Sequence, residues 1–349
     1  MKHMRSRIKA ALTAALAITG VVAAAGCAVG DGSASSGDEI RIAYQSFPSG
    51  DLVVKNQHWL EDALPGKTVK WIKFDSGADV NTAFVAGQVD FGAIGSAPVA
   101  RGLSAPLNIG YQVAFVLDVA GDNEALVARN GTGIDSVAGL RGRRVATAFA
   151  STAHYSLLAA LKEAGVDPGE VKLIDLQPQA SLAAWERGDV DAVYTWLPTL
   201  DELKKSGKVL VTSRELAERG QPTLDLGVVS TAFAEAEPAV VDAWRKVQAR
   251  ALDLIHDDPD KAAAAVAAEI GTNQADARAQ LSQGVFLTRD QLVSDQWLGT
   301  QGKPGRVADN LQSAAVFLAG QHQIPAAPSI DAFRAAIYTE GLPDAITGH

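Results

Sequence analysis

"VKLIDLQPQASLAAWERGDVDAVYTWLP", residues 171–198, reads as a β-rich run, a helix with apolar spacing from Ala180 to Trp185, a stop at Gly188 and a new strand from Val190. The same order is written earlier in the chain as "VKWIKFDSGADVNTAFVAGQVDFGAIGSAP", residues 69–98, and with the strand-like runs ahead of them the two copies span residues 40–98 and 143–198. There the helical spacing runs from Val80 to Ala86, and Gly87 precedes Val89-Asp90 as Gly188 precedes Val190-Asp191. Val69 overlies Val171, Asp90 overlies Asp191 and Pro98 overlies Pro198, so the register barely drifts. Strands alternating with helices build sheets of mostly parallel strands with right-handed crossovers, an α/β class. Two copies in 349 residues predict two lobes facing a cleft.

Outward from this repeat, the expected lobe boundaries are 38–126 for the first part of lobe 1, 127–223 for lobe 2 and 224–349 for the return to lobe 1. The returning part is helical in pattern over Pro238–Leu254, Asp260–Ile270, Asn273–Gln283 and Val307–Ala319. A chain that crosses twice between lobes makes a hinge.

Ligands of parallel α/β sheets bind beyond the carboxyl ends of the strands. Four such ends lead through small polar residues into a helix: Asp75-Ser76-Gly77, Gly95-Ser96-Ala97-Pro98, Ala150-Ser151-Thr152 and Gln177-Pro178-Gln179. Unpaired N–H groups and the helix dipole make each a seat for an anion, and each alone is equally an ordinary cap. Equivalent positions in both repeats favour a shared ligand. Glu124 and Asp225 stand where the chain crosses between lobes, as carboxylates in apolar surroundings that need a partner. Glu124 has Arg129 and Arg144 as candidate salt-bridge partners, whereas Asp225 has no basic neighbour in sequence. Among the aromatics at strand ends, Tyr44, Phe47, Tyr155, Tyr194 and Trp196, the repeat assigns Trp196 to the cleft, while Phe74 and Phe91 read as core.

Catalytic patterns are weak. Ser151 and His154 lie one helical turn apart, but no Gly-x-Ser-x-Gly elbow and no orienting carboxylate accompany them. The six histidines are scattered and the single cysteine has no partner, so no metal site is read, and the glycine-rich stretch lacks the lysine of a phosphate loop. No cofactor is expected. A net charge of −9 without a Lys/Arg run argues against nucleic acid.

The amino-terminal segment is expected to be processed. Lys2, Arg5, Arg7 and Lys9 precede the apolar run Ala10–Ala25 and then Gly26-Cys27, the pattern of a signal peptide over residues 1–26. Ala24-Ala25-Gly26-Cys27 resembles a lipobox with Ala24 in place of leucine, which makes Cys27 a lipid anchor and residues 27–37 a flexible tether.

The blocks "KFDSGADV", "IGSAPVA", "NEALVA", "STAHYSLLAALKEAG", "LQPQASLAAWERGDVDAVYTWLP" and "PTLDLGVV" closely resemble the taurine-binding proteins of sulfonate-importing ABC transporters. The resemblance implies a two-lobed periplasmic-binding-protein fold and a monomeric, non-enzymatic lipoprotein outside the cytoplasmic membrane. It also implies that this lipoprotein delivers a small sulfonate to a permease. Carried over by position, it implies that Ser96, Ser151 and Thr152 hold the sulfonate, that Tyr155 and Trp196 line the pocket, and that Asp225 with Glu124 takes the ammonium. Departures are the "YQSFPSGD" loop, Ala97 where a second serine is common, and Gly227 where a tryptophan is usual, which predicts an enlarged pocket or room for water. An aliphatic sulfonate or nitrate is the alternative ligand. A thiamine-pyrimidine-synthase-like enzyme is the alternative class, which its dependence on a cysteine-rich motif disfavours here.

Overall fold

A computed structural model of the protein describes residues 38–348. The signal segment, Cys27 and the tether lie outside the described residues. The strands are β1 (Glu39–Tyr44), β2 (Thr68–Lys73), β3 (Phe91–Gly95), β4 (Tyr111–Val119) and β5 (Glu124–Arg129). They continue as β6 (Arg144–Thr147), β7 (Lys172–Asp175), β8 (Ala192–Trp196), β9 (Gly207–Thr212) and β10 (Leu224–Ser230). They form two five-stranded sheets of the same topology, β2-β1-β3-β10-β4 and β7-β6-β8-β5-β9. In each sheet the first three strands are parallel. The fourth strand, β10 or β5, is antiparallel to both neighbours and is the one that arrives from the other lobe.

The repeat has a physical counterpart in two matching ion pairs. Arg41 on β1 gives its side chain to Asp90 (2.7 Å) and to the Gly87 carbonyl, and Asp90 also accepts the Arg41 backbone N–H. Arg144 on β6 repeats each bond with Asp191 (2.8 Å) and the Gly188 carbonyl. Gly87 and Gly188 take left-handed φ of 63° and 78°, the conformation that lets the helix end turn into the next strand.

Helix boundaries follow the caps. Ser76 accepts from Asp79 N, so the first repeat helix spans Gly77–Val85, and the second spans Pro178–Arg187 with its proline at N1. β6 ends at Thr147, and beyond it the Phe149 N–H goes to the Asp175 carboxylate. The first crossing lies at 120–123, ahead of the expected boundary at 126, because Glu124 already pairs with Trp196 in the second sheet. The carboxyl-terminal helices, including Pro238–Asp257 and Val307–Gly320, join one hydrophobic core with β1, β3, β4 and β10. Arg245, fully buried, donates to the carbonyls of Ala114, Tyr338 and Glu340 and so ties the last segment to β4. No described helix is long and apolar enough to cross a membrane.

Candidate functional site

A cavity opens between the two sheets at the carboxyl ends of β3 and β8. Gln45, Phe47, Gly77, Gly95, Pro98 and Asp225 line it from the first lobe, and Ser151, Thr152 and Trp196 from the second. Ala120, Asn123 and Glu124, at the crossing, close its back. None of the lining side chains is a lysine or arginine. An adjoining cavity shares Gln45, Trp196 and Leu197 and extends to Lys73, Phe74, Gln177 and Thr199. Phe74, read as core, is partly buried and lines this second cavity, whereas Phe91 is fully buried in the first lobe.

Two helix starts face the cavity. The Gly77–Val85 helix presents Gly77, and the Thr152–Glu163 helix presents Thr152. In each, the preceding serine caps the third N–H of the helix, Asp79 N for Ser76 and His154 N for Ser151. The earlier first-turn N–H groups carry the positive end of the dipole without an intrahelical partner. These are donors for an anion that require no basic side chain.

The residues singled out in the sequence separate into two groups. Ser151, Thr152, Trp196, Glu124 and Asp225 meet around the one cavity. Ser96 and Tyr155 do not line it. The Ser96 hydroxyl accepts the Leu224 N–H and fixes β10 within the first lobe. Tyr155 donates to Gln221 (2.7 Å) and packs edge-on against Phe317. Tyr194 is fully buried and hydrogen-bonds Ser213. The enlargement expected at Gly227 is absent, because the Trp244 ring fills that space. A Cβ at Gly227 would stand 2.2 Å from it.

The Ser151/His154 pair is a cap and a brace. Ser151 donates to the Ala148 carbonyl, and His154 Nδ1 accepts the N–H of Ala150, whose φ of 59° is unusual for a residue with a Cβ. His154 stacks on Phe149 at 4.5 Å, and burial lowers its pKa to about 4. A neutral imidazole therefore holds the strained turn at neutral pH.

Neither candidate arginine reaches Glu124, which is 3% exposed. Its carboxylate accepts from Thr152 (2.5 Å), Ser213 (2.6 Å), Ser156 (3.3 Å) and, at longer range, Thr223 (3.5 Å). Burial pushes its pKa up to about 7 against the pull of these hydroxyls. Asp225 faces the cavity with no ion-pair partner among the described residues. Directly across the β10–β4 ladder stands Asp118, fully buried, which the sequence reading missed. Its signal was present: Asp118 is the only charged residue in the nine-residue strand "YQVAFVLDV". Among the described residues, no group of three or more His, Cys, Asp or Glu is placed to hold a metal ion.

Residues 56–262 match the family model described as NMT1/THI5 like. The taurine-binding periplasmic protein of Escherichia coli (strain K12) is 45% identical over 181 residues, 52% of this chain; the match spans 55% of that relative's length. A putative aliphatic sulfonates-binding protein of Bacillus subtilis (strain 168) is 32% identical over 248 residues, 68% of this chain and 72% of that one. Among solved structures, the alkanesulfonate-binding protein SsuA from Xanthomonas axonopodis pv. citri, bound to MOPS, shares the fold with a TM-score of 0.70. It is 22% identical, over 87% of this chain and 99% of that chain. The desulfurization enzyme DSZB shares it too (TM-score 0.63, 16% identity, 89% of this chain and 99% of that one), so this architecture serves both binding and catalysis. With the family model covering more than half of its length, the chain belongs to the NMT1/THI5-like family.

Proposed function

We propose that the protein is the extracytoplasmic solute-binding component of an ABC importer, and that it closes its lobes on taurine or a related small aminosulfonate. One observation carries this reading: the cavity offers two helix starts for an anion and two carboxylates for a cation, with no lysine or arginine lining it. A zwitterion with its charges a few bonds apart satisfies both ends, whereas nitrate or a simple alkanesulfonate leaves the carboxylates unpaired. The sulfonate is assigned to the helix starts at Gly77 and Thr152, the ammonium to Asp225 and Glu124, and Trp196 to the connecting carbons. Supporting this reading are the relatives, whose names describe taurine and aliphatic-sulfonate binding. The proposal also places the protein as a monomer tethered by a lipid on Cys27, which presents the loaded form to a permease.

Calorimetric titration with taurine, butanesulfonate and nitrate tests the ligand. Taurine is expected to bind tightest, and silence toward every sulfonate would reject the reading. Asp225→Asn is expected to weaken taurine by about tenfold or more, since a charge-assisted bond is worth roughly 1.5–3 kcal/mol, while leaving butanesulfonate nearly unchanged. Equal losses for both ligands would make the carboxylate structural. An enzyme would alter its ligand, so recovery of unchanged taurine by mass spectrometry separates the two classes. Cys27→Ser is expected to release the protein from the membrane fraction.

A further inference from the structure

Asp118 and Asp225 are direct cross-strand partners in an antiparallel ladder, so their side chains leave the sheet on the same face. Asp225 reaches the cavity, and Asp118 stands behind it, 0% exposed. Neither Asp118 oxygen meets an N–H or hydroxyl donor. Gly284 covers it from the other side, where a Cβ would stand 3.6 Å from Oδ2. Glu124 is the other charged group close enough to act on Asp118, and it too is acidic. Two ionised carboxylates cannot bond to each other, since both are acceptors only. One proton between them removes the repulsion and gives one of the two orphaned oxygens a partner.

We propose that Asp118 is a neutral carboxylic acid whose O–H donates to Asp225, and that it aims that carboxylate at the ammonium of the ligand and leaves the Asp118/Asp225 pair with one negative charge, not two. Asp118 is thus a positioning residue that touches no ligand atom. Its burial and the neighbouring Asp225 both raise its pKa well above the usual carboxylate range, in keeping with a retained proton. This inference rests on the aminosulfonate reading, but its central claim, the proton on Asp118, is measurable without any ligand.

Infrared difference spectra between the ligand-free wild type and Asp118→Asn at pH 7.5 are expected to show the carbonyl stretch of a protonated acid in the wild type alone. Absence of that band would overturn the proposal even if taurine binds. Presence of the band with no sulfonate binding would instead sink the functional reading and the aiming role together, leaving only the neutral acid. In titrations, Asp118→Asn is expected to keep taurine affinity within about threefold, because its amide N–H replaces the O–H donor. Asp118→Ala is expected to lose about tenfold or more for taurine while butanesulfonate changes little. If Asn is as damaging as Ala, the residue acts through its negative charge and the proposal fails. If Ala leaves taurine unchanged, Asp118 aims nothing. Should Ala fail to fold, the Asn titration and the infrared band decide.

Discussion

Glu124 shows how a buried carboxylate costs stability once it ionises. In the unfolded chain it ionises near 4.5, whereas burial holds its folded pKa near 7. Below pH 4.5 both states are protonated and burial costs nothing through ionisation. As pH rises from there to about 7, the unfolded chain gives up its proton first, so the folded state loses stability relative to it. The loss is roughly 3 kcal/mol, since each tenfold change in proton affinity between the two states is worth about 1.4 kcal/mol. Glu124→Gln is therefore expected to melt higher than the wild type at pH 8 and equally at pH 4, while its taurine affinity falls. A lower melting temperature at pH 8 would mean that the hydroxyls of Thr152, Ser156 and Ser213 fully compensate the buried charge. This residue is legible in sequence as a carboxylate at a crossing. Its hydroxyl cage is not, because Ser213 and Thr223 are brought to it only by the return of the chain. The resemblance makes Thr152 one of the residues that hold the sulfonate, and its hydroxyl is given to Glu124. What its helix turns to the cavity is its backbone start.

At the scale of elements, the repeat is readable because helix stops and strand starts have local signatures: Gly87 and Gly188 each precede a Val-Asp pair. The role of those aspartates is not readable, since their arginine partners lie 49 and 47 residues away and are joined to them only by strand register. In each lobe the clamp fixes the first strand of the repeat to the start of the third. The two copies differ in exposure: the Arg41 and Asp90 side chains are 18% and 5% exposed, those of Arg144 and Asp191 are 41% and 13%. Water screens the second pair more and can solvate a lone arginine there. Asp90→Ala is thus expected to destabilise by about 3 kcal/mol and Asp191→Ala by about half as much in urea unfolding. The reverse order would show that burial does not set the strength of these clamps.

Across the whole molecule, closure depends on a place where the lobes come close enough to forbid a methyl group. Gly95 ends β3 in the first lobe, and Thr152 begins its helix in the second. A Cβ on Gly95 would lie 2.4 Å from the Thr152 Cγ2. Beside this contact Gln177 of the second lobe donates to Ser76 of the first at 3.2 Å, so the cleft is drawn shut at two points around the cavity. The Gly95 backbone, at φ −67° and ψ 155°, suits any residue, which makes an alanine there a pure wedge without conformational strain. Each lobe keeps its own sheet and core, so Gly95→Ala is expected to shift the melting temperature of the ligand-free protein by little. Relief comes by opening the two crossings, at 120–123 and at the start of β10, which separates the helix starts from the carboxylates across the cavity. Taurine affinity is therefore expected to drop about tenfold or more, and X-ray scattering with saturating taurine is expected to show a larger radius of gyration than the wild type. An alanine variant that binds and compacts like the wild type would mean that Thr152 yields by rotating its methyl away and that the two lobes are not held apart by this contact.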